Sequence, residues 1–159
     1  MDHGRRDLEP DLSIRQLSTA EVIPLRHAIL RAGLPRSAAL FPGDDAAETR
    51  HFGAFDHDAL VGVVSIYHNP LPEEPENSSS WQLRGMASSL RGRGFGRALL
   101  HAGVSYVAEQ GGSFLWCNAR KPAVGFYSRH GWRVLGDEFE ISTAGPHFRM
   151  GIAVQKQED

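Results

Sequence analysis

Cysteine is nearly missing from this chain: among 159 residues only Cys117 carries a thiol. No internal disulfide can form, and a zinc cage built on paired cysteines is excluded. So little thiol suits a reducing compartment, and a cytoplasmic location is expected. An excess of charge of one sign is lacking too, since 17 Lys and Arg stand against 19 Asp and Glu, for a formal net charge of -2. Without a global basic field, neither nucleic acid nor an anionic membrane is an expected partner. No apolar run approaches the roughly 18 residues needed to cross a bilayer. The charged start, Met1-Asp2-His3-Gly4-Arg5-Arg6-Asp7, leads into no apolar stretch and does not have the form of a secretory signal. Of the eight histidines, His51, His57 and His68 show no ligand spacing, and His27, His101 and His130 fall on separate expected helices, so no metal is expected.

What is present describes one globular domain. Hydrophobic residues make up 41% and charged residues 23%, enough to build a single core at this length. The expected plan is a flexible arm over 1–11, a domain over 12–154 and a tail over 155–159. Leu12 to Leu17 alternates as a half-buried strand does. Ser18-Thr19 offers capping hydroxyls to a helix carrying Val22, Leu25, Ile29 and Leu30, which Gly33 and Pro35 stop. A second short helix is expected within 36–49. Strands over 50–55 and 59–67 form a hairpin about Asp56-His57-Asp58. A loop rich in proline, glutamate and serine follows over 68–80.

A strand over 81–88 then runs into Arg91-Gly92-Arg93-Gly94-Phe95-Gly96. After it an amphipathic helix presents Phe95, Ala98, Leu99, Ala102 and Tyr106 on one side, and Gly111-Gly112 ends it. Phe114 to Asn118 is almost wholly apolar, as in a strand buried on both faces. Pro122 suits the first turn of a helix reaching His130. Strands over 133–135 and 148–154 close the chain, with irregular structure over 136–146. Hairpins followed by a strand-helix-strand crossover give an α/β (α+β) fold: a mixed, mostly antiparallel twisted sheet of six to seven strands with helices on both faces.

The chemistry lies in the unit strand, glycine-arginine turn, helix. Glycine lets backbone amides approach an anion closely and adopts positive φ without strain. The helix that follows points its unpaired N–H groups and positive dipole end at the same place. Arg91, Arg93 and Arg97 add charge and forked donors. The plainer reading is a surface turn with solvated arginines, but three arginines interleaved with three glycines between strand and helix favour a pyrophosphate cradle. Two common nucleotide patterns fail. No Gly-Lys pair is followed by Ser or Thr, and the third Rossmann glycine would fall on Arg97 or Leu99.

The segment resembles the acetyl-CoA motif of the GNAT superfamily of N-acetyltransferases, Gln/Arg-x-x-Gly-x-Gly/Ala, with Arg91, Gly94 and Gly96 in place. Leu83-Arg84-Gly85-Met86-Ala87 resembles the preceding strand of one branch. Ala119-Arg120, Ala123, Phe126-Tyr127 and Gly131-Trp132 resemble the second motif, and Pro146-His147 with Met150 a closing signature. The resemblance spans roughly 12–154 and is most specific from Leu83 to Trp132.

It implies an acetyl-CoA-dependent N-acetyltransferase working by direct attack in a ternary complex. The main chain of Met86 and Ala87 would bind pantetheine. Amides across Arg91, Gly92, Arg93, Gly94, Phe95, Gly96 and Arg97 would hold the pyrophosphate. Tyr127 would protonate the departing thiolate. Glu138 and Glu140 fall in the loop that lines the acceptor cleft and are candidates for the general base, as is His147. Many members carry Asn where this chain has Arg120, so Arg120 is assigned to CoA or to the acceptor. The acceptor is an amine, small-molecule or protein, and the assembly a monomer or homodimer. A non-catalytic acetyl-CoA sensor or docking module is the alternative, and a binder of another phosphate ligand a third.

Overall fold

The computed structural model describes residues 12–90, 92–142 and 144–155. The expected arm over 1–11, Arg91 and the tail beyond Gln155 lie outside the described residues. The chain packs as two compact units, one from residues up to Tyr67 with Gly85–Gly103, the other from His68–Arg84 with residues from Val104 on. Hydrogen-bonded strands follow the order β1 (Leu12–Leu17), β2 (Arg50–Asp56), β3 (Ala59–Tyr67), β4 (Ser80–Ser88), β5 (Phe114–Arg120), β8 (Gly145–Ala153) and β6 (Arg133–Val134), with β7 (Phe139–Ile141) also on β8. That makes eight strands, against the six to seven expected. No helix among the described residues is long and apolar enough to cross a membrane.

The first unit begins with β1 (Leu12–Leu17), antiparallel to β2 (Arg50–Asp56), which pairs in turn with β3 (Ala59–Tyr67). Asp56 faces Ala59 across the hairpin, and His57 takes φ 58 in the turn, where a left-handed residue suits the strand twist. Between them β1 and β2 place α1 (Thr19–Leu30). Its start is a capping box: Ser18 Oγ accepts from the Glu21 amide while Glu21 Oε1 accepts from the Ser18 amide at 2.8 Å. Such a cap contributes about 1 kcal/mol. The second short helix is a single 3-10 turn, Arg36–Ala39. Leu17, Val22, Ile23, Ala39, Val63 and Ala87 form the core cluster, each large aliphatic side chain contributing about 1.5–3 kcal/mol by burial.

The buried face of α1 is not the one its leucines suggest. It consists of Val22, Ile23 and Arg26, while Leu25, Ile29 and Leu30 are half-buried. Arg26 is fully buried and forked onto Asp44, with Nη1 donating to Oδ2 at 2.8 Å and Nη2 to Oδ1 at 3.2 Å. Nη1 also donates to the Ala39 carbonyl, and Nη2 to Ser65 Oγ and Tyr67 Oη. Tyr67 Oη donates to Asp44 Oδ1 at 2.6 Å, and His51 Nδ1 lies 2.6 Å from Ser65 Oγ.

Burial pushes the Asp44 carboxyl up, yet hydrogen bonds from Arg26, Tyr67 and the Phe41 amide outweigh it and hold the group below its ordinary range. Burial lowers the His51 imidazole, with Asp44 only partly opposing. Both groups therefore bind protons more readily unfolded than folded, so stability falls as pH falls. The decline is expected to begin below the ordinary histidine value of about 6.5 and to continue below about 4. Melting temperatures taken from pH 8 to pH 3 (roughly the span of both groups) check this. His51→Gln should flatten the upper part of that slope, and an unchanged slope would refute the assignment.

The second unit holds the start of β4 (Ser80–Ser88), β5 (Phe114–Arg120), α3 (Val124–Arg129), β6 (Arg133–Val134), β7 (Phe139–Ile141) and β8 (Gly145–Ala153). α2 (Phe95–Glu109) starts in the first unit and ends in this one. β5 is antiparallel to β8 along its whole length. Its parallel ladder with β4 lasts only three pairs, from Ser80↔Phe114 to Gln82↔Trp116. Leu115, Trp116 and Cys117 are buried, as their unbroken apolar run implies.

The loop before β4 is tied down: His68 stacks on Trp81, Trp116 Nε1 donates to the Asn69 carbonyl, and Leu71 is buried. The helix expected from Pro122 opens as a 3-10 turn over Lys121–Ala123, because proline supplies no amide there. The 136–146 segment expected to be irregular contains β7, which pairs Phe139 with His147 and Glu140 with Pro146.

Candidate active site

The glycine-arginine turn lies between β4 and α2 in the first unit. Gly92 and Gly94 take φ values of 75 and 85, the left-handed region that glycine enters without strain. Among the described residues, nothing beyond the chain neighbours stands within 4 Å of where a Cβ would be at either one. The turn is thus open at both glycines. Phe95 is buried and anchors the first turn of α2, and the Ala98 amide donates to the Gly94 carbonyl at 3.0 Å. Helix geometry leaves the amides ahead of Ala98 without intrahelical acceptors.

Two exposed arginines flank them. Arg93 lies 3.6 Å from Asp56 and over the Phe95 ring, and Arg97 is on the wet face of α2. Helix-start amides, a positive helix end and two guanidinium groups can together hold a diphosphate. Upstream, Met86 is half-buried and Ala87 buried, and both lie beyond the residues where the short ladder between β4 and β5 ends. A strand whose ladder stops early is where an extended ligand can add itself by main-chain hydrogen bonds.

The remaining candidates lie in the second unit. Tyr127 on α3 is buried, edge-on to Phe126 and tilted against Trp132. Burial, followed by the influence of the neighbouring Cys117 thiol, raises its phenol well above the ordinary pKa of about 10. Burial likewise pushes the Cys117 thiol up to about 12. Arg120 ends β5 in register with His147, which in turn faces Phe139 of β7.

His147 is buried with Nδ1 2.8 Å from the Gly145 carbonyl, the posture of a satisfied structural histidine. Glu138 is exposed and bridges Lys121 at 3.1 Å, while Glu140 is exposed on β7. Asn118 accepts from Arg149 Nε, whose guanidinium lies over Trp116 and Phe139. Sequence reasoning overlooked Arg149 and the Arg26–Asp44 pair. Their partners come from distant parts of the chain.

The acetyltransferase (GNAT) family profile matches residues 21–132. The chain belongs to that family, and so to the N-acetyltransferase class of enzymes. Among its relatives is an uncharacterized N-acetyltransferase of Bacillus subtilis, YitI, 31% identical over 141 residues, which cover 87% of this chain and 94% of YitI. Solved structures share the fold at lower identity. FeeM, an N-acyl amino acid synthase from uncultured soil microbes, aligns with a TM-score of 0.73 at 16% identity over 92% of each chain. An aminoglycoside 6'-N-acetyltransferase complexed with coenzyme A aligns with a TM-score of 0.70 at 15% identity, over 92% of this chain and 99% of that one.

Proposed function

We propose that this chain holds acetyl-CoA on the turn that opens α2 and passes its acetyl group to an amine by direct attack in a ternary complex. The observation that carries the reading is the open left-handed turn at Gly92 and Gly94, feeding straight into α2. The amides of Gly92 to Arg97, with Arg93 and Arg97, would clasp the diphosphate. Arg91, Met86 and Ala87 take the parts the family motif gives them, the last two through their main chain.

In the chemical step the amine nitrogen bonds to the thioester carbon, the carbonyl electrons move to oxygen, and the C–S bond breaks as the oxyanion collapses. Tyr127 gives its proton to the departing sulfur. Glu140, exposed on β7, and Glu138, held by Lys121, are the carboxylates offered to receive the proton the amine loses. The acceptor is a small-molecule or protein amine, and the enzyme works in the cytoplasm as a monomer or homodimer.

The test is release of free CoA thiol from acetyl-CoA against a broad amine library, run beside calorimetry with acetyl-CoA, ATP and NAD. Acetyl-CoA bound without thiol release by any amine would make the chain a sensor, and no acetyl-CoA binding would end the reading. The same assay examines Cys117. A buried thiol whose pKa is pushed up to about 12 is a poor nucleophile. Cys117→Ala should therefore keep turnover within about twofold, whereas a route through an acyl-cysteine would lose it entirely.

A further inference from the structure

We propose that Arg26 and Asp44 are the positioning pair of the transfer site: they fix a left-handed kink in β4 at Gly85 and thereby aim the main chain of Met86 and Ala87. The inference rests on the CoA reading above, since those two residues are its pantetheine contacts.

Three observations carry it. The first is the presence of charge where an apolar side chain would serve stability as well. Arg26 is fully buried and Asp44 nearly so, and such pairs can often be replaced by hydrophobic residues of similar volume without loss of stability. The second is how completely the guanidinium is oriented. Both terminal nitrogens are committed, to the Ala39 carbonyl, Asp44, Ser65 and Tyr67, and the plane stacks on the Phe41 ring with Cζ 4.0 Å from its centroid. Only Nε is left, buried with no acceptor.

The third observation is what lies at that edge. Gly85 sits inside β4 at φ 69, and a Cβ added there would lie 3.3 Å from Arg26 Nε and 3.4 Å from Phe41 Cε2. The plate formed by guanidinium and ring is therefore the floor on which the strand kinks. Glycine bends there without strain, so the plate decides how the strand is seated at the kink and not whether it can bend. The residues that follow the kink are Met86 and Ala87. Asp44 and Phe41 also wall a cavity of about 310 Å³ with Thr19, Leu40 and Asp45, so one clamp holds the kink and that cavity wall together.

A double-mutant cycle on kcat tests this. One arm is Arg26→Met with Asp44→Leu, which keeps the volume and removes both charges. The other is Gly85→Ala, which presses on the same contact from the strand side. Each arm is expected to lower kcat about tenfold or more while affinity for ADP, a diphosphate without the pantetheine arm that needs only the turn at Gly92 to Arg97, stays within about twofold. Because both arms act through one contact, the combined variant should lose no more than the worse single arm.

Multiplicative losses, or a folded charge-free variant with wild-type kcat, would overturn the proposal. Where the charge-free variant does not fold, Arg26→Lys takes its place in the cycle. Lysine keeps the charge but not the fork, and it should show the same loss and the same non-additivity. Wild-type protein that binds no acetyl-CoA defeats the functional reading, whereas active wild type with additive arms defeats only the positioning pair.

Discussion

Gly94→Val is expected to weaken acetyl-CoA binding about 100-fold, equivalent to about 2.7 kcal/mol, while leaving the protein folded. The two effects separate because the space beside Gly94 is empty in the protein alone. Among the described residues no atom beyond the chain neighbours lies within 4 Å of the site a Cβ would take, so the added side chain meets none of them there. Its cost to folding is the left-handed backbone at φ 85, on the order of 1–3 kcal/mol for a β-branched residue. Its cost to binding is larger. The same space is where a diphosphate must approach the amides, and a branched side chain holds it off. Calorimetry with acetyl-CoA alongside a thermal melt reads both quantities. A folded variant that binds within twofold of wild type (about 0.4 kcal/mol) would show that the turn is not the cradle.

That turn was legible in the sequence because its signal is local: a strand, interleaved glycines and arginines, then a helix of clear period. α1 was half legible. Ser18 and Thr19 announced its start, and the expected stripe of Val22, Leu25, Ile29 and Leu30 does meet the core. What that stripe leaves out is Ile23 and Arg26, both buried. Arg26 can turn inward only because Asp44, Ser65 and Tyr67 supply acceptors from three other stretches of chain. Nothing within a helical turn of Arg26 reveals them. A usable clue was the position of Arg26 four residues after Val22, on the face of a fully buried residue.

The closing strands show the same limit from the other side. β7 is three residues long, half-buried Phe139 and Ile141 flanking exposed Glu140, too short for that alternation to mark it. It exists because β8 offers an edge. β8 itself begins at Gly145, three residues earlier than its apolar content suggests. Gly85 falls inside the strand expected over 81–88. Its φ of 69 shows a kink instead, and glycine there is explained by Arg26 and Phe41 beneath it. Features set by neighbours in sequence were readable, and those set by neighbours in space were not.

Tyr127→Phe should cut kcat by about 100- to 10,000-fold, the span typical of a lost general acid, with acetyl-CoA affinity unchanged. A phenol held well above its ordinary pKa is certain to carry its proton, but it is also a reluctant donor. An acid that weak could not protonate a thiolate of ordinary basicity, for which the thiol pKa is about 8.5.

The surroundings it shares with Cys117 resolve the mismatch. That neighbouring thiol is itself pushed up to about 12 by burial. A thiolate released beside Tyr127 would be desolvated likewise and made correspondingly basic, so donor and acceptor rise together and transfer stays within reach. Two measurements follow. The alkaline limb of the kcat profile should carry no break from this tyrosine below about pH 10, since its pKa is raised and deprotonation is deferred. Acetyl donors built on more acidic thiols, which leave without a proton, should lose much less rate in Tyr127→Phe. Equal loss across donors would mean that the phenol packs against Trp132 and Phe126 and takes no part in protonating sulfur.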